Sequence, residues 1–523
     1  MEMKMGQIRQ RSGQRQEPRE RNMTIQGDPT RLWISRRRLL GYSAGTALAA
    51  AIGRVPGAAA AENLGAVTQE QWTPEFIESI AGTIEVDTAA ECAKVVPLDH
   101  KGRLTYWYVG PNQASTPLQH KLEAEFWAAF ATTYPNITVE KQSIDYNEIP
   151  NKLRTAALGK AAPMVARLML LWGCEFAAKG FLQELKPEDV GYPSSEFWPR
   201  ALRSAMWKGK TYGIPTNNET MAFIWNADLF RQAGLDPEKP PATWDDVVAY
   251  SKQIKDKTGK QGYGLVARRN AGNTPYRFMP QMWAYGGGAL DEAEPDPTYQ
   301  RILIDNDGSR AALQSVYDMY VRDRSVPVSA LTNAQTENQD PFIAGRLGMM
   351  ISHPTEYATM LDRAARATGD DKKIADAVVQ NMRYGLIPRG PVRRAVVFGG
   401  WNVHMFNPDV VDGDFDADAA RAFIAFSTGP EWSTKLNWEQ SNPGNLRGFR
   451  TKWMKQRLEQ IKFLDVTTSM LPSGIPFPVI PESTEIMNII VPDMMQNALT
   501  EKMTVAQAAE DAAKKIKDIF SPL

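Results

Sequence analysis

The chain has 523 residues, enough for two large lobes or three small domains, and its 43% hydrophobic content is ordinary for a globular protein. Its 60 basic and 60 acidic residues balance, but eleven of the former and four of the latter fall in residues 1–60. Beyond position 60 the count is 49 basic to 56 acidic, a net charge of −7, which argues against a nucleic-acid binder.

The first thirty residues are polar and Arg-rich. Ser35-Arg36-Arg37-Arg38-Leu39-Leu40 then opens an apolar stretch to Ile52, followed by Gly57-Ala58-Ala59-Ala60-Ala61. Charge, apolar core and small-residue site in that order predict a secretory signal over 1–60. The paired arginines resemble those of twin-arginine export, with Leu39 where Phe is commoner. The apolar core is short of the roughly 20 residues that a membrane span needs, so a cleaved leader and a periplasmic home are expected. The two cysteines, Cys92 and Cys174, lie outside any CxxC pair, which disfavours redox and zinc chemistry. An oxidising periplasm would permit a bridge between them, whereas cargo folded before export argues against one.

Residues 61–102 read as an N-terminal extension with one helical piece, Pro74–Ile80. A strand at Leu104–Val109 and a helix striped by Leu118, Leu122, Phe126 and Phe130 follow, with Pro135 as its stop. Strand Ile137–Lys141, helix Tyr146–Leu158 and strand Val165–Leu171 continue an alternation that predicts a parallel sheet covered by helices. Ligands of such sheets sit beyond the carboxyl ends of the strands, where Asn112, Gln113 and Trp172 to Glu175 fall.

The stretch Gly209–Phe230 stands out. Two apolar, strand-like runs, Thr211–Thr216 and Met221–Asn226, flank Asn217-Asn218-Glu219. Asn and Glu are poor strand formers, so a break is expected there, with polar side chains facing a cleft between lobes. Thr243 and Asp246 form a capping box on a helix at Trp244–Lys257, which accounts for paired carboxylates better than acid–base catalysis does. Pro275-Tyr276-Arg277 begins another helix. Gly286-Gly287-Gly288 ends it and lacks the spacing of a dinucleotide loop. Strand Tyr384–Pro388 precedes Phe398-Gly399-Gly400-Trp401-Asn402, whose glycines would let backbone approach a ligand. Thr504 and Gln507 cap a last helix striped by Val505, Ala508, Ala512, Ile516 and Ile519. The four histidines are widely spaced, with no HExxH and no GxSxG.

Five stretches, in order, carry a resemblance: GKTYGIPTNNETMAFIWNADLFRQAGL, PPATWDDV, FIAGRLGMMIS, FGGWNV and EKMTVAQAAEDAAKKI. With the leader, the sequence resembles the extracellular solute-binding proteins of carbohydrate ABC importers, the group containing maltose-binding protein. The resemblance spans roughly Leu104 to Phe520. It implies an α/β, two-lobed periplasmic binding protein, each lobe a mostly parallel sheet flanked by helices, with three interlobe crossings. Lobe one would be 103–217 plus 391–440, and lobe two 221–387 plus 445–523. Three departures stand out: Met164 after Pro163 where Asp is usual, Trp225 in place of Tyr before Asn226, and the extension before residue 103.

On the family's plan, Asn112 and Gln113 match the loop after the first strand, and Trp172 and Glu175 the loop after the third. Asn217, Asn218 and Glu219 match the first crossing, and Tyr276 an aromatic at a helix start with Arg277 beside it. Thr355 follows a strand, Gly400, Trp401 and Asn402 match a cleft loop, and Asn445 and Arg447 match the third crossing. His353 reads as a core histidine, and Arg447 fits a structural loop tie equally well. Aromatic rings would cover the C–H face of a pyranose while amides, carboxylates and Arg exchange hydrogen bonds with its rim. The expectation is therefore a monomeric, non-enzymatic carrier of a carbohydrate or polyol, without cofactor or metal, that delivers its ligand to ABC permease subunits. Two rivals remain. The same fold could take an anionic sugar derivative on Arg277 and Arg447. A secreted glycoside hydrolase would need two acids across a cleft, for which Glu175 and Glu219 could be proposed.

Overall fold

The computed structural model of the chain describes Leu64 and residues 72–113, 115–269, 272–291, 301–334 and 336–520. The leader expected over 1–60 lies outside them. The strands of the two main sheets, in chain order, are β1 (Gly102–Tyr108), β2 (Ile137–Ser143), β3 (Val165–Met169), β4 (Ile214–Glu219), β5 (Ala222–Asn226), β6 (Gln261–Tyr263), β7 (Leu347–Ser352), β8 (Met382–Gly385), β9 (Gly399–Met405) and β10 (Asn442–Pro443). The first sheet has the order β10-β4-β9-β3-β1-β2 and the second β8-β5-β7-β6. Each is the floor of one lobe.

Strand direction explains how the lobes are joined. In the first sheet β1, β2, β3 and β4 run one way, while β9 and β10 run against them. In the second, β6, β7 and β8 run one way and β5 runs against them. Strands built in strand–helix units point toward the cleft. Strands entering from the other lobe, β5 after β4 and β9 after β8, start at the cleft and point away. Most strands of each sheet run one way, but the reversed strands β9 and β5 lie between others, so five of the eight pairings are antiparallel and the sheets are mixed where mostly parallel ones were expected.

Local chemistry sets the helices. Thr116 Oγ1 accepts from Gln119 N at 3.2 Å and Pro117 occupies the first turn, so helix α1 (Pro117–Thr133) starts where it does. Leu122, Phe126 and Phe130 form its buried stripe. The capping box on α2 (Trp244–Thr258) forms as expected: Asp246 N donates to Thr243 Oγ1 at 3.1 Å and Thr243 N to Asp246 Oδ2 at 2.9 Å. The C-terminal helix Val505–Phe520 buries Ala508, Ala512 and Ile516.

The break expected at Asn217-Asn218-Glu219 is displaced. All three residues belong to β4, and the chain leaves the strand at Thr220–Met221. Tertiary pairing overrides their weak strand propensity. On one side they pair with Gly399, Gly400 and Trp401, and on the other with Asn442 and Pro443. Their amides are used in the process: Asn217 Nδ2 donates to Ser441 Oγ at 2.6 Å and Asn218 Nδ2 to the Pro443 carbonyl at 2.9 Å.

The extension before β1 has a definite seat. Helix Pro74–Ile80 forms at the expected residues. Trp72 is buried with its ring 5.0 Å from Trp198 and 5.3 Å from Phe449, both edge-on. Ile84 bridges to Thr451, Thr88 Oγ1 donates to Glu431 Oε2 at 2.6 Å, and Glu91 pairs with Arg447 at 2.7 Å. The same small apolar cluster includes Phe398, Leu446, Leu458 and Leu471. Cys92 and Cys174 are both buried free thiols, each pushed up to about 12 by burial.

Candidate binding site

A cavity of about 310 Å³ lies beyond the C-terminal ends of β1, β3 and β4. That is near the lower end of the roughly 300–1,000 Å³ of small-ligand pockets. The first lobe supplies Tyr106 and Tyr108 from β1, Arg167 and Met169 from β3, Thr216, Asn217 and Glu219 from β4, and Trp401 from β9. The second lobe supplies Asn273 and Tyr276 from helix α3 (Asn273–Ala284), and His353 and Thr355 where β7 runs into helix α4 (Pro354–Arg366). Residues of both lobes therefore share one void.

Nine aromatic side chains line it. Tyr106 and Tyr108, two residues apart on one strand, project from the same face and stack at 4.9 Å. Tyr146 stands edge-on to Trp401 at 6.0 Å, and its hydroxyl lies 3.1 Å from Met169 Sδ. Trp401 is held by its backbone, since its N–H donates to Asn217 Oδ1 at 3.0 Å and its carbonyl accepts from Thr216 Oγ1 at 2.9 Å.

The polar groups are few and oriented. Arg167 donates from Nε to Thr216 Oγ1 and from Nη2 to Asn217 Oδ1, both at 3.1 Å, and its guanidinium sits 5.1 Å from the Trp401 ring centre. Burial lowers its pKa, an effect that Tyr106 and Glu219 oppose. Burial pushes the Glu219 carboxyl up to about 7 against the pull of Arg167 and Arg277. His353 is held down to about 3 by burial and by Arg277, so it is neutral, and its Nδ1 has no partner among the described residues. Gln119 Nε2 at the same wall also lacks one. Glu123, also on the lining, accepts from Tyr108 OH and from Trp127 Nε1.

Of the residues expected from sequence, Asn112, Asn217, Glu219, Tyr276, Thr355 and Trp401 line this cavity. The others are engaged elsewhere. Gln113 is exposed on the loop after β1. Trp172 backs Trp401 edge-on at 5.9 Å and is a buttress of the wall. Glu175 pairs with Arg154 at 2.8 Å and with Lys179. Asn218 Nδ2 donates to the Pro443 carbonyl on strand β10 and Asn402 Nδ2 to Ser204 Oγ at 3.1 Å, while the Oδ1 of each is buried without a partner among the described residues. Arg277 is buried against Glu356. Asn445 caps a short turn and donates to Glu196 Oε2 at 3.2 Å, while Arg447 ties that turn to Glu91 and Glu196.

Gly400 serves the sheet rather than a ligand. Its φ is +138°, and a Cβ there would sit 2.3 Å from the Asn217 carbonyl. His353, read as core from sequence, faces the cavity. Arg167, Tyr106 and Tyr108 carry a signal that the sequence reading did not include. A charge inside the apolar strand VARLM and two tyrosines at strand spacing near a C-terminal strand end both point to a lined cleft.

The profile of the family described as bacterial extracellular solute-binding protein matches residues 114–434. A putative binding protein of Brucella abortus is 25% identical over 401 residues, which cover 75% of this chain and 88% of that one. A solute-binding protein of an ABC transporter from Thermotoga lettingae, solved with α-D-tagatose, superposes with a TM-score of 0.65 at 21% identity over 80% of this chain and 100% of its own. UgpB of Mycobacterium tuberculosis, solved with glycerophosphocholine, gives 0.64 at 18% identity over 80% and 98%. The matched profile spans more than half of the sequence, and with the two-lobed fold around one cavity it places this chain in the bacterial extracellular solute-binding protein family, whose members bind solutes and are not enzymes.

Proposed function

We propose that the protein is the capture component of an ABC importer and takes up a carbohydrate or related polyol. The observation that carries this reading is the cavity itself, where aromatic faces from both lobes surround the Glu219 carboxyl and unspent polar groups on His353 and Gln119. Rings cover C–H faces, and hydroxyls satisfy buried donors and acceptors that otherwise stay unpaired. The tagatose-bound relative, a solute-binding protein of an ABC transporter, supports this.

The chain would change lobe near 217–221, 387–391 and 440–445, and these segments would act as hinges. Ligand would favour closure, and the closed form would dock as a monomer on permease subunits in the membrane. Twin-arginine export would bring it to the periplasm. Titration of tryptophan fluorescence with a panel of mono- and disaccharides and polyols tests the reading. At least one solute should bind, and Trp401→Ala should weaken it by about tenfold, the loss of roughly 1.4 kcal/mol of ring contact. A panel without any binder would refute it.

A further inference from the structure

We infer that Arg167 is the specificity-determining cation of the cavity and that the captured solute carries an anionic group, a carboxylate or a phosphate, on its polyol frame. This rests on the capture reading above.

The two arginines first suspected of holding an anion already have carboxylates, Arg277 with Glu356 and Arg447 with Glu91 and Glu196. Arg167 is different. Among the described residues its hydrogen bonds go only to the neutral oxygens of Thr216 and Asn217, and it forms no ion pair. Those two bonds use the Nε–H and one Nη2–H. The two Nη1–H groups and the other Nη2–H remain, and together they make the planar fork that fits the two oxygens of a carboxylate or phosphate. Trp401 stacks on the guanidinium and, with Asn217 and Thr216, fixes its position before any ligand arrives. A half-buried guanidinium without an ion-pair partner is costly, and a ligand anion relieves that cost.

The neighbouring acids leave room for such a group. Glu123 is occupied by Tyr108 and Trp127. Glu219 lies beyond ion-pair reach of Arg167 and is already pushed toward its neutral form. An anion on Arg167 would push it further, and a neutral carboxyl can donate a hydrogen bond to that anion. Binding of the anionic solute would therefore take up a proton.

Matched pairs test the inference by calorimetric titration: D-glucose against D-glucuronate and D-glucose 6-phosphate, D-galactose against D-galacturonate, and glycerol against glycerol 3-phosphate. The anionic member of at least one pair should bind at least tenfold tighter than its neutral partner, and the uronate and phosphate arms tell the two anions apart. Arg167→Met should erase that preference and Arg167→Lys should keep part of it, with each variant's fold checked by circular dichroism. Affinity for the anion should fall as pH rises from 6 to 8, and Glu219→Gln should flatten that slope. Neutral members that bind as tightly as the anionic ones would overturn the role of Arg167 and leave sugar capture standing. Binding by no member of any pair would overturn the anion, and sugar capture would fall with it only if the wider panel of mono- and disaccharides and polyols also held no binder.

Discussion

At the scale of single residues, the cavity's chemistry turns on groups that protein partners leave unspent. Glu219 carries a measurable signature. Its carboxyl titrates near 7 in the folded chain, against an ordinary value of 4.5. The folded state thus holds a proton that the unfolded state has released between about pH 4.5 and 7, so this residue's contribution to stability falls as pH rises through that window. Urea midpoints measured from pH 4.5 to 8 should decline more steeply for the wild type than for Glu219→Gln. Parallel profiles would mean that the carboxyl is solvated and does not face a closed cavity. Trp401, Asn217 and Glu219 were legible from sequence because they sit in a short polar or glycine-flanked stretch. Trp172, Asn218, Asn402 and Asn445 share that local character and still point elsewhere. Which polar side chain faces a void and which bonds a neighbouring strand depends on partners hundreds of residues away, such as Pro443 for Asn218.

Among the elements, periodic ones were read nearly to their ends, because an apolar stripe or a capping box is written locally. Helices α1 and α2 and the C-terminal helix show this. Strand β4 shows the limit, since two neighbouring strands hold Asn217 to Glu219 extended despite their propensity. The extension before β1 had no readable purpose, because its anchors lie far along the chain. Trp72 fills a site made by Trp198 and Phe449, and Glu91 meets Arg447. Removing a buried indole leaves a cavity that the surrounding rings cannot refill. Trp72→Ala should therefore cost about 3–5 kcal/mol in denaturant titration. Ligand affinity of the folded fraction should stay unchanged, since Trp72 is outside the cavity wall. Wild-type stability in this variant would show that the extension only rests on the surface.

For the whole molecule, the order of recognisable stretches already implied two lobes, and the strand directions give that order a mechanical meaning. β4 runs to the cleft and β5 leaves it in the other lobe, with two residues between them. β8 and β9 repeat the exchange, and β10 lies against β4 beside the first crossing. In the capture reading proposed above, several links so close together would act as a hinge, because a few dihedral changes there would swing one sheet against the other while both cores stay packed. The crossing is also pinned, since Thr220 Oγ1 donates to the Thr467 carbonyl. A solute touching Arg167 and Trp401 on one side and Tyr276 and His353 on the other would then gain contacts as the lobes approach and shift the population toward closure. Small-angle scattering should show a smaller radius of gyration with saturating ligand. Hydrogen exchange should slow at 217–221, 387–391 and 440–445, where the proposed links lie, and hardly change in α2. A ligand that binds tightly with neither change would occupy a rigid pocket, and the hinge would have no part in capture.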